Sequence, residues 1–486
     1  MQPRAHAAGI AWGLVALSTA IGVCAYVAIR AATLSFTHDE SFSYTRYVHD
    51  PLSSVLFYED VNPNNHLLNT LAMKLAESAF GASELALRVP SVAAFVVYLV
   101  AIALLLRRVE RRPVRFLGFS LAVANPYVLD FFSLARGYGL ALALVAASAL
   151  FTVGYVERPT VARGFPAVAC AALAVLASFA TLGYFLGVLL LIALALVVSR
   201  DARRDDLARR LAAAVSLPIV VVVLFAAIPL VRLRRADQLY VGGDDGFWQD
   251  TVHSLVSSTL YRPGWKLLEV TLVVLVAMAV TVGAVAAAIG TRRRHLPLHA
   301  TAFILLATPA AISVVQHFVI GSLFLIERTA LFLVPLFAVW LAYAADALAW
   351  RPRFAAAVSV AAVGIAVAAW LNLASTANRS YVLDWRYDAS TEEMLEEMNG
   401  LRDGQRIDFG ASWLFEPTIN FYRETKRLSW LPPMPTSCRG VCVPDRSDYY
   451  YVIGGDVAVA RNRGARVVRT YPLSGSLLLR KVAARG

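Results

Sequence analysis

Gly9-Ile10-Ala11-Trp12-Gly13-Leu14-Val15-Ala16-Leu17-Ser18-Thr19-Ala20-Ile21-Gly22-Val23-Cys24-Ala25-Tyr26-Val27-Ala28-Ile29 is a run of 21 residues without a charge. As an α-helix it is long enough to cross the ~30 Å hydrocarbon core of a bilayer, and a helix satisfies its own backbone hydrogen bonds there. It exceeds the apolar core of a secretory signal, and no small-residue cleavage pattern follows before Ser35, so it reads as a retained membrane helix. Working outward, similar runs predict ten further spans at 89–106, 116–132, 138–156, 165–180, 184–198, 211–230, 267–289, 300–320, 329–347 and 354–374. The pair 165–180 and 184–198 is short, with a tight turn expected near Thr181-Leu182-Gly183.

Composition agrees with this segmentation. Hydrophobic residues make up 58% of the 486 and charged residues 16%, against ~25% charged in a soluble chain. The formal charge of +12 does not point to nucleic acid, because most arginines lie between apolar runs and no basic, aromatic-interleaved surface is evident. With the N-terminus placed in the cytoplasm, the cytoplasmic connections hold 18 Lys+Arg in 53 residues. The opposite connections, about twice as long, hold roughly ten, which is the positive-inside bias. The expected fold class is an α-helical polytopic membrane protein of about 11 transmembrane helices. Residues 1–374 form the membrane part, with external loops 31–88 and 231–266. Residues 375–486 form a small extracytoplasmic α/β domain.

That last part changes character. Ser390–Asn399 reads as an acidic amphipathic helix and Glu416–Lys426 as another. Arg406–Trp413, Tyr449–Ile453, Ala465–Tyr471 and Ser476–Lys481 read as strands. Cys438 and Cys442 can pair as a structural disulfide in an oxidising compartment. A zinc site there would need two more ligands nearby, and the sequence offers none. Gly242-Gly243-Asp244-Asp245-Gly246 in the second long loop is read as a mobile segment rather than a fixed turn.

Polar groups with chemistry cluster on one predicted side. The first loop carries His38-Asp39-Glu40-Ser41, then Asn64-Asn65-His66-Leu67-Leu68, then Leu87-Arg88-Val89-Pro90-Ser91 at the entry to the second span. Ala135-Arg136-Gly137-Tyr138 opens the fourth span, and Glu327-Arg328-Thr329 the tenth. In order, these segments resemble the GT-C membrane glycosyltransferases, among them the family 39-like protein O-mannosyltransferases and the aminoarabinose transferases that modify lipid A. Asp39-Glu40 matches the family's acidic pair after the first helix. Leu87 to Ser91 matches its Leu-Arg-x-Pro-Ser entry, and Ala135 to Tyr138 its Ala-Arg-x-Tyr entry. Asn65-His66-Leu67-Leu68 stands where many bacterial members have His-Pro-Pro-Leu, here without the prolines. The resemblance is concentrated in residues 30–140.

The resemblance implies a polyprenyl-phosphate sugar donor, a glycan, lipid or protein acceptor, contact with membrane lipids, and a site at the bacterial inner membrane's outer face. An acceptor hydroxyl is a weak nucleophile until a base takes its proton; Asp39 is the expected base, Glu40 the second candidate. Transfer with inversion needs one base rather than two paired carboxylates. The departing lipid phosphate needs cations, for which arginine is geometrically suited. Arg88, Arg136 and Arg328 are the candidates, with Arg46 and Lys74 behind them; Asn65, His66, Tyr138 and Glu327 are further substrate-binding candidates. Some relatives use a divalent cation such as Mg or Mn and others do not, and His66 could join one.

Each residue also has a plainer use. Arg88 can be a snorkelling helix-end anchor, Arg136 a donor to loop carbonyls, and Glu327-Arg328 an internal ion pair. Tyr138 and Trp385 read also as interfacial aromatics. Two other classes share parts of the pattern. A transporter or flippase would show repeated halves and mid-membrane ionisable groups. A surface-polysaccharide polymerase or ligase would use arginines in a late external loop, such as Arg232, Arg234 and Arg235.

Overall fold

The computed structural model describes residues 2–198, 204–262, 264–290, 296–350, 352–401, 407–435 and 447–481. Cys438 and Cys442, and with them the expected disulfide, lie outside the described residues. The chain divides into two compact units, Met1–Val27 with Leu52–Asn69 and Pro90–Ala377, and Ala28–Pro51 with Thr70–Val89 and Asn378–Gly486. The unit that holds the C-terminal part therefore also takes in most of the first long loop.

The first unit is helical, and the expected spans recur in it in order. Among the described residues, seven helices are long and apolar enough to cross a membrane, the first expected span passes only as the bent pair Leu17–Thr33 with His38–Val48, and Val161–Ala177 and Leu333–Ala349 are shorter apolar helices. One expected span is corrected: 116–132 is not a single helix but Arg112–Val123 followed by Pro126–Phe132. The cause is Asn125-Pro126. Proline pushes the preceding residue out of the helical region, and Asn125 is extended at φ −116°, ψ 109°. Its side chain caps the next helix by accepting the Tyr127 and Val128 N–H groups at 3.1 and 3.2 Å. A second correction concerns the turn expected at residues 181–183. The helix ends earlier, at Ala177, Ser178 is extended, and Phe179–Thr181 forms a 3-10 turn leading into Leu182–Val198. Asp205–Arg235 is one apolar helical run interrupted by a π turn at Val223–Ala227. Pro229, lacking an N–H, lies two residues past that turn.

The Gly242–Gly246 segment is also corrected, because it is tied down. Gly243 and Phe324 exchange both backbone hydrogen bonds, 3.1 and 2.9 Å, in an isolated antiparallel bridge. The Asp250 carboxylate accepts the Gly246 N–H at 2.8 Å. A Cβ on Gly243 would run into the Asp250 side chain, so the close approach requires glycine.

The second unit contains a four-stranded sheet, β1 Phe409–Ala411, β2 Tyr449–Val452, β3 Ala465–Tyr471 and β4 Ser476–Lys481, in the order β1-β2-β4-β3. β1 and β2 are parallel and connected through the helix Glu416–Thr425; the other pairs are antiparallel. β1 is much shorter than the expected 406–413. Tyr450, Val452, Ala460, Ala465 and Leu479 form a packed core, with Ala460 supplied by the additional helix Asp456–Asn462. The acidic helix is Thr391–Leu401. Its outer carboxylates hold Lys426, through Glu392 and Glu396 at 2.6 and 2.7 Å, and Arg469, through Glu393 and Glu397 at 2.7 and 2.9 Å. The i, i+4 spacing puts both partners of each cation on one helix face.

Candidate active site

Asp39 and Glu40 stand in the first turn of the short helix His38–Ser43, in the second unit. Adjacent helical residues point about 100° apart, and the fold treats the two carboxylates differently. Glu40 is fully buried and reaches back to accept the Thr37 N–H at 3.0 Å. Its two oxygens also take Arg88 Nε at 2.8 Å and Nη2 at 2.7 Å. The remaining Arg88 donors go to the carbonyls of Ala31 (3.0 Å), Leu34 (2.8 Å) and Ser35 (3.1 Å). A guanidinium has five N–H groups, and this arrangement uses one for each of five contacts. Phe36 covers it, with the Arg88 Cζ 5.0 Å from the ring centroid. Neither the carboxylate of Glu40 nor the guanidinium of Arg88 is presented to a substrate. Asp39, one residue away, is half-buried. Lys74 donates to the carbonyls of Val48 and Asp50, the latter at 2.7 Å, while Arg46 is exposed.

Asn65, His66, Arg136 and Tyr138 meet in the first unit. Asn65 is buried; its side-chain amide donates to the Val55 carbonyl at 3.1 Å and its backbone carbonyl accepts the Tyr58 hydroxyl. His66 Nδ1 lies 2.9 Å from the Ala177 carbonyl, an acceptor only, so Nδ1 carries the proton. The His66 ring meets Tyr138 edge-on with centroids 4.8 Å apart, and Tyr138 in turn meets Phe131 at 5.1 Å. Arg136 is buried and donates from Nη1 to the Asn64 carbonyl at 3.3 Å. Asn69 anchors the same region by donating to the Ala135 carbonyl at 2.9 Å. Tyr138 and Trp385 are both buried, so neither is the interfacial aromatic that its position suggested.

Glu327 and Arg328 open the helix Glu327–Ala330 in the same unit. Glu327 is left-handed at φ +43°, a strained conformation for a side chain of its kind. Its N–H donates to the Ser254 hydroxyl at 3.0 Å, and Thr329 caps the turn through the Ile326 N–H at 2.8 Å. Tyr261, also left-handed at φ +60°, donates to the buried Asp130 carboxylate at 2.7 Å. Arg232 is committed to the carbonyls of Phe57 and Tyr58 at 2.7 and 3.3 Å, and Arg234 to that of Ile320 at 3.1 Å.

Asp388 was not visible to sequence reasoning. It is buried beside the Asp39 turn, where it accepts the His38 N–H at 2.6 Å and the Thr391 hydroxyl at 3.3 Å. Burial pushes its carboxyl well above the ordinary value; the His38 N–H and the Thr418 and Thr391 hydroxyls oppose that shift, and the Asp39 charge adds to it. No local pattern could have found it, since its partner lies 350 residues away. Among the described residues no group of three or more His, Cys, Asp or Glu could hold a metal ion.

No family model matches the sequence, and none of the curated proteins matches it. Its fold does find counterparts. The chain is a polytopic membrane protein with the GT-C fold of membrane glycosyltransferases. It is similar to the crystal structure of ArnT from Cupriavidus metallidurans in the apo state, at TM-score 0.54 and 11% identity over 98% of this chain and 99% of that one. The same protein bound to undecaprenyl phosphate gives TM-score 0.53 at 12% identity, covering 98% of each chain. A weaker likeness, TM-score 0.44 at 12% identity, is to the Archaeoglobus fulgidus oligosaccharyltransferase in the apo form, covering 83% of this chain and 63% of that one.

Proposed function

We propose that this protein is an inverting glycosyltransferase that moves a sugar from a polyprenyl-phosphate carrier to an acceptor hydroxyl on a glycan, lipid or protein outside the cytoplasm. The observation that carries the reading is the separation of the two adjacent carboxylates: Glu40 is consumed by Arg88 in the interior, while Asp39 remains half-buried on the same turn. The shared fold along nearly the whole of ArnT, one structure of which holds undecaprenyl phosphate, supports the donor class.

In this reaction the acceptor oxygen attacks the anomeric carbon as the carbon–oxygen bond to phosphate breaks. The electron pair leaves with the phosphate, and the acceptor proton passes to the Asp39 carboxylate. The growing charge on the departing phosphate is of the kind that preorganised cations stabilise. Glu40 and Arg88 hold the turn rather than the substrate. The positive-inside bias supports a cytoplasmic N-terminus and an outer site at a bacterial inner membrane. Cells carrying the wild-type chain, Asp39→Asn or no copy should be compared by mass spectrometry of their glycolipids and glycans. A product made by wild type alone is expected. The same product at wild-type level from Asp39→Asn, with equal protein in the membrane, would remove the mechanism.

A further inference from the structure

Besides Arg88 and Glu40, residues of the C-terminal part hold the segment just before Asp39. The Phe36 N–H donates to Tyr422 Oη at 2.8 Å, and the Phe36 ring stacks on Phe421 with centroids 4.1 Å apart. His38 Nδ1 donates to the Leu414 carbonyl at 2.7 Å, and the His38 ring meets Trp413 edge-on at 5.8 Å. The His38 N–H, the first donor of the Asp39 helix, goes to Asp388 Oδ2 at 2.6 Å. Further back, Arg30 donates to the carbonyls of Asn378 and Tyr381 at 2.6 and 3.1 Å. All of these residues belong to the second unit.

The contact at Asp388 differs from the others in kind. Its carboxylate accepts the first backbone N–H of the helix that carries Asp39, at the residue next to Asp39. Its own orientation is fixed from behind: Thr391 donates to Oδ1 at 3.3 Å, and Thr391 and Thr418 are both fully buried. An unpaired N–H at a buried helix start is costly, but an asparagine, a serine or a water could satisfy it. A rigid, buried acceptor held by two threonines sets the position of the helix start, as well as satisfying it.

We infer that Asp388 is a positioning residue for Asp39, holding the first N–H of its helix so that the C-terminal part is a working component of the transfer site. The inference rests on the reading of Asp39 as the base. A 1 Å displacement of a reacting group can cost on the order of 100-fold in rate, and Asp39 stands on the turn whose first N–H Asp388 accepts.

The test uses the full chain in detergent. Hydrogen exchange of the peptide spanning residues 36–42 reads the contact, and turnover with a polyprenyl-phosphate sugar that the wild type uses reads its consequence. Asp388→Ala should raise exchange in that peptide and lower kcat by on the order of 100-fold, with the donor KM within about threefold. Asp388→Asn keeps an oxygen facing the His38 N–H and should restore both, at a thermal midpoint close to wild type. A fold brace alone would lower the amount of active protein without splitting kcat from KM. Wild-type exchange and turnover in Asp388→Ala, with Asp39→Asn inactive, would overturn the positioning role and leave the base in place. Asp388→Asn as impaired as Asp388→Ala would also overturn it, because the charge would then matter and the acceptor would not. Wild-type turnover in Asp39→Asn would remove the base and the positioning role together.

Discussion

Arg88 and Glu40 meet through two hydrogen bonds, 2.8 and 2.7 Å, with both side chains sealed from solvent. Each would be costly to bury alone. Together with the Ala31, Leu34 and Ser35 carbonyls they lock the chain between the first membrane helix and the Asp39 turn. A buried ion pair is weak evidence for net stability, but breaking one leaves a charge stranded at ~3–5 kcal/mol. Arg88→Ala and Glu40→Gln should therefore each lower the thermal midpoint and the yield of folded protein sharply. The joint change Glu40→Leu with Arg88→Met should be less damaging than either single change, because it strands no charge. Thermal unfolding of the four proteins in one detergent checks this; a double variant at the sum of the singles would mean that the pair is not coupled.

Gly137 sits where the His66 anchor is tightest. A Cβ there would collide with the Ala177 carbonyl and lie 2.7 Å from His66 Nδ1, so the His66–Ala177 hydrogen bond cannot survive it unchanged. Overpacking of this kind costs about 1–3 kcal/mol. Gly137→Ala is expected to lower transfer and the thermal midpoint together, whereas Gly364→Ala, inside the helix Pro352–Thr376 with nothing within 4 Å of its Cβ, should leave transfer unchanged and the thermal midpoint no lower. Equal behaviour of the two variants would sink the argument.

The membrane architecture was legible because it depends on apolar length alone, and runs such as 89–106 and 300–320 reappear as the helices Glu84–Leu106 and Leu298–Ile320. The break inside 116–132 was also in the sequence, as Asn-Pro, but a search for apolar length does not register a two-residue cap signal. The hairpin strands β3 and β4 appeared with the bounds expected, since alternation and a turn at Gly475, φ +74°, define them locally. The acidic pair was found, yet its division of labour was not, because only the packed interior shows which carboxylate faces Arg88. Asp388 was invisible for the same reason: a hydrogen bond across 350 residues leaves no pattern in either segment.

Arg232, Arg234 and Arg235 offer a check on the polymerase or ligase alternative. Arg232 and Arg234 donate to the carbonyls of Phe57, Tyr58 and Ile320, which gives them a bracing task. Tyr58 is itself at positive φ, +53°, so the segment that Arg232 holds is conformationally demanding. Replacing all three arginines by alanine should lower the thermal midpoint while leaving the donor KM within about threefold in the folded fraction, since uniform binding is untouched. Loss of turnover at unchanged stability would instead make them part of the chemistry.

Glu416 supplies a pH signature. Burial raises its carboxyl from an ordinary 4.5 to about 7. Below the unfolded value the group is protonated in both states and costs nothing. As pH rises toward 7 the unfolded chain ionises first, so the folded state binds more protons and stability falls. Above about 7 the charge is present in both states and the burial penalty is complete. Glu416→Gln removes that penalty. It should therefore match wild type near pH 4.5 and unfold at a higher temperature than wild type at pH 8, the gap opening between those limits. Asp388 and Glu392, also raised by burial, add slopes of the same sign to both proteins. The difference between the two curves, rather than either curve alone, isolates Glu416, and a constant difference from pH 4.5 to 8 would show that its carboxyl is not held above its ordinary value.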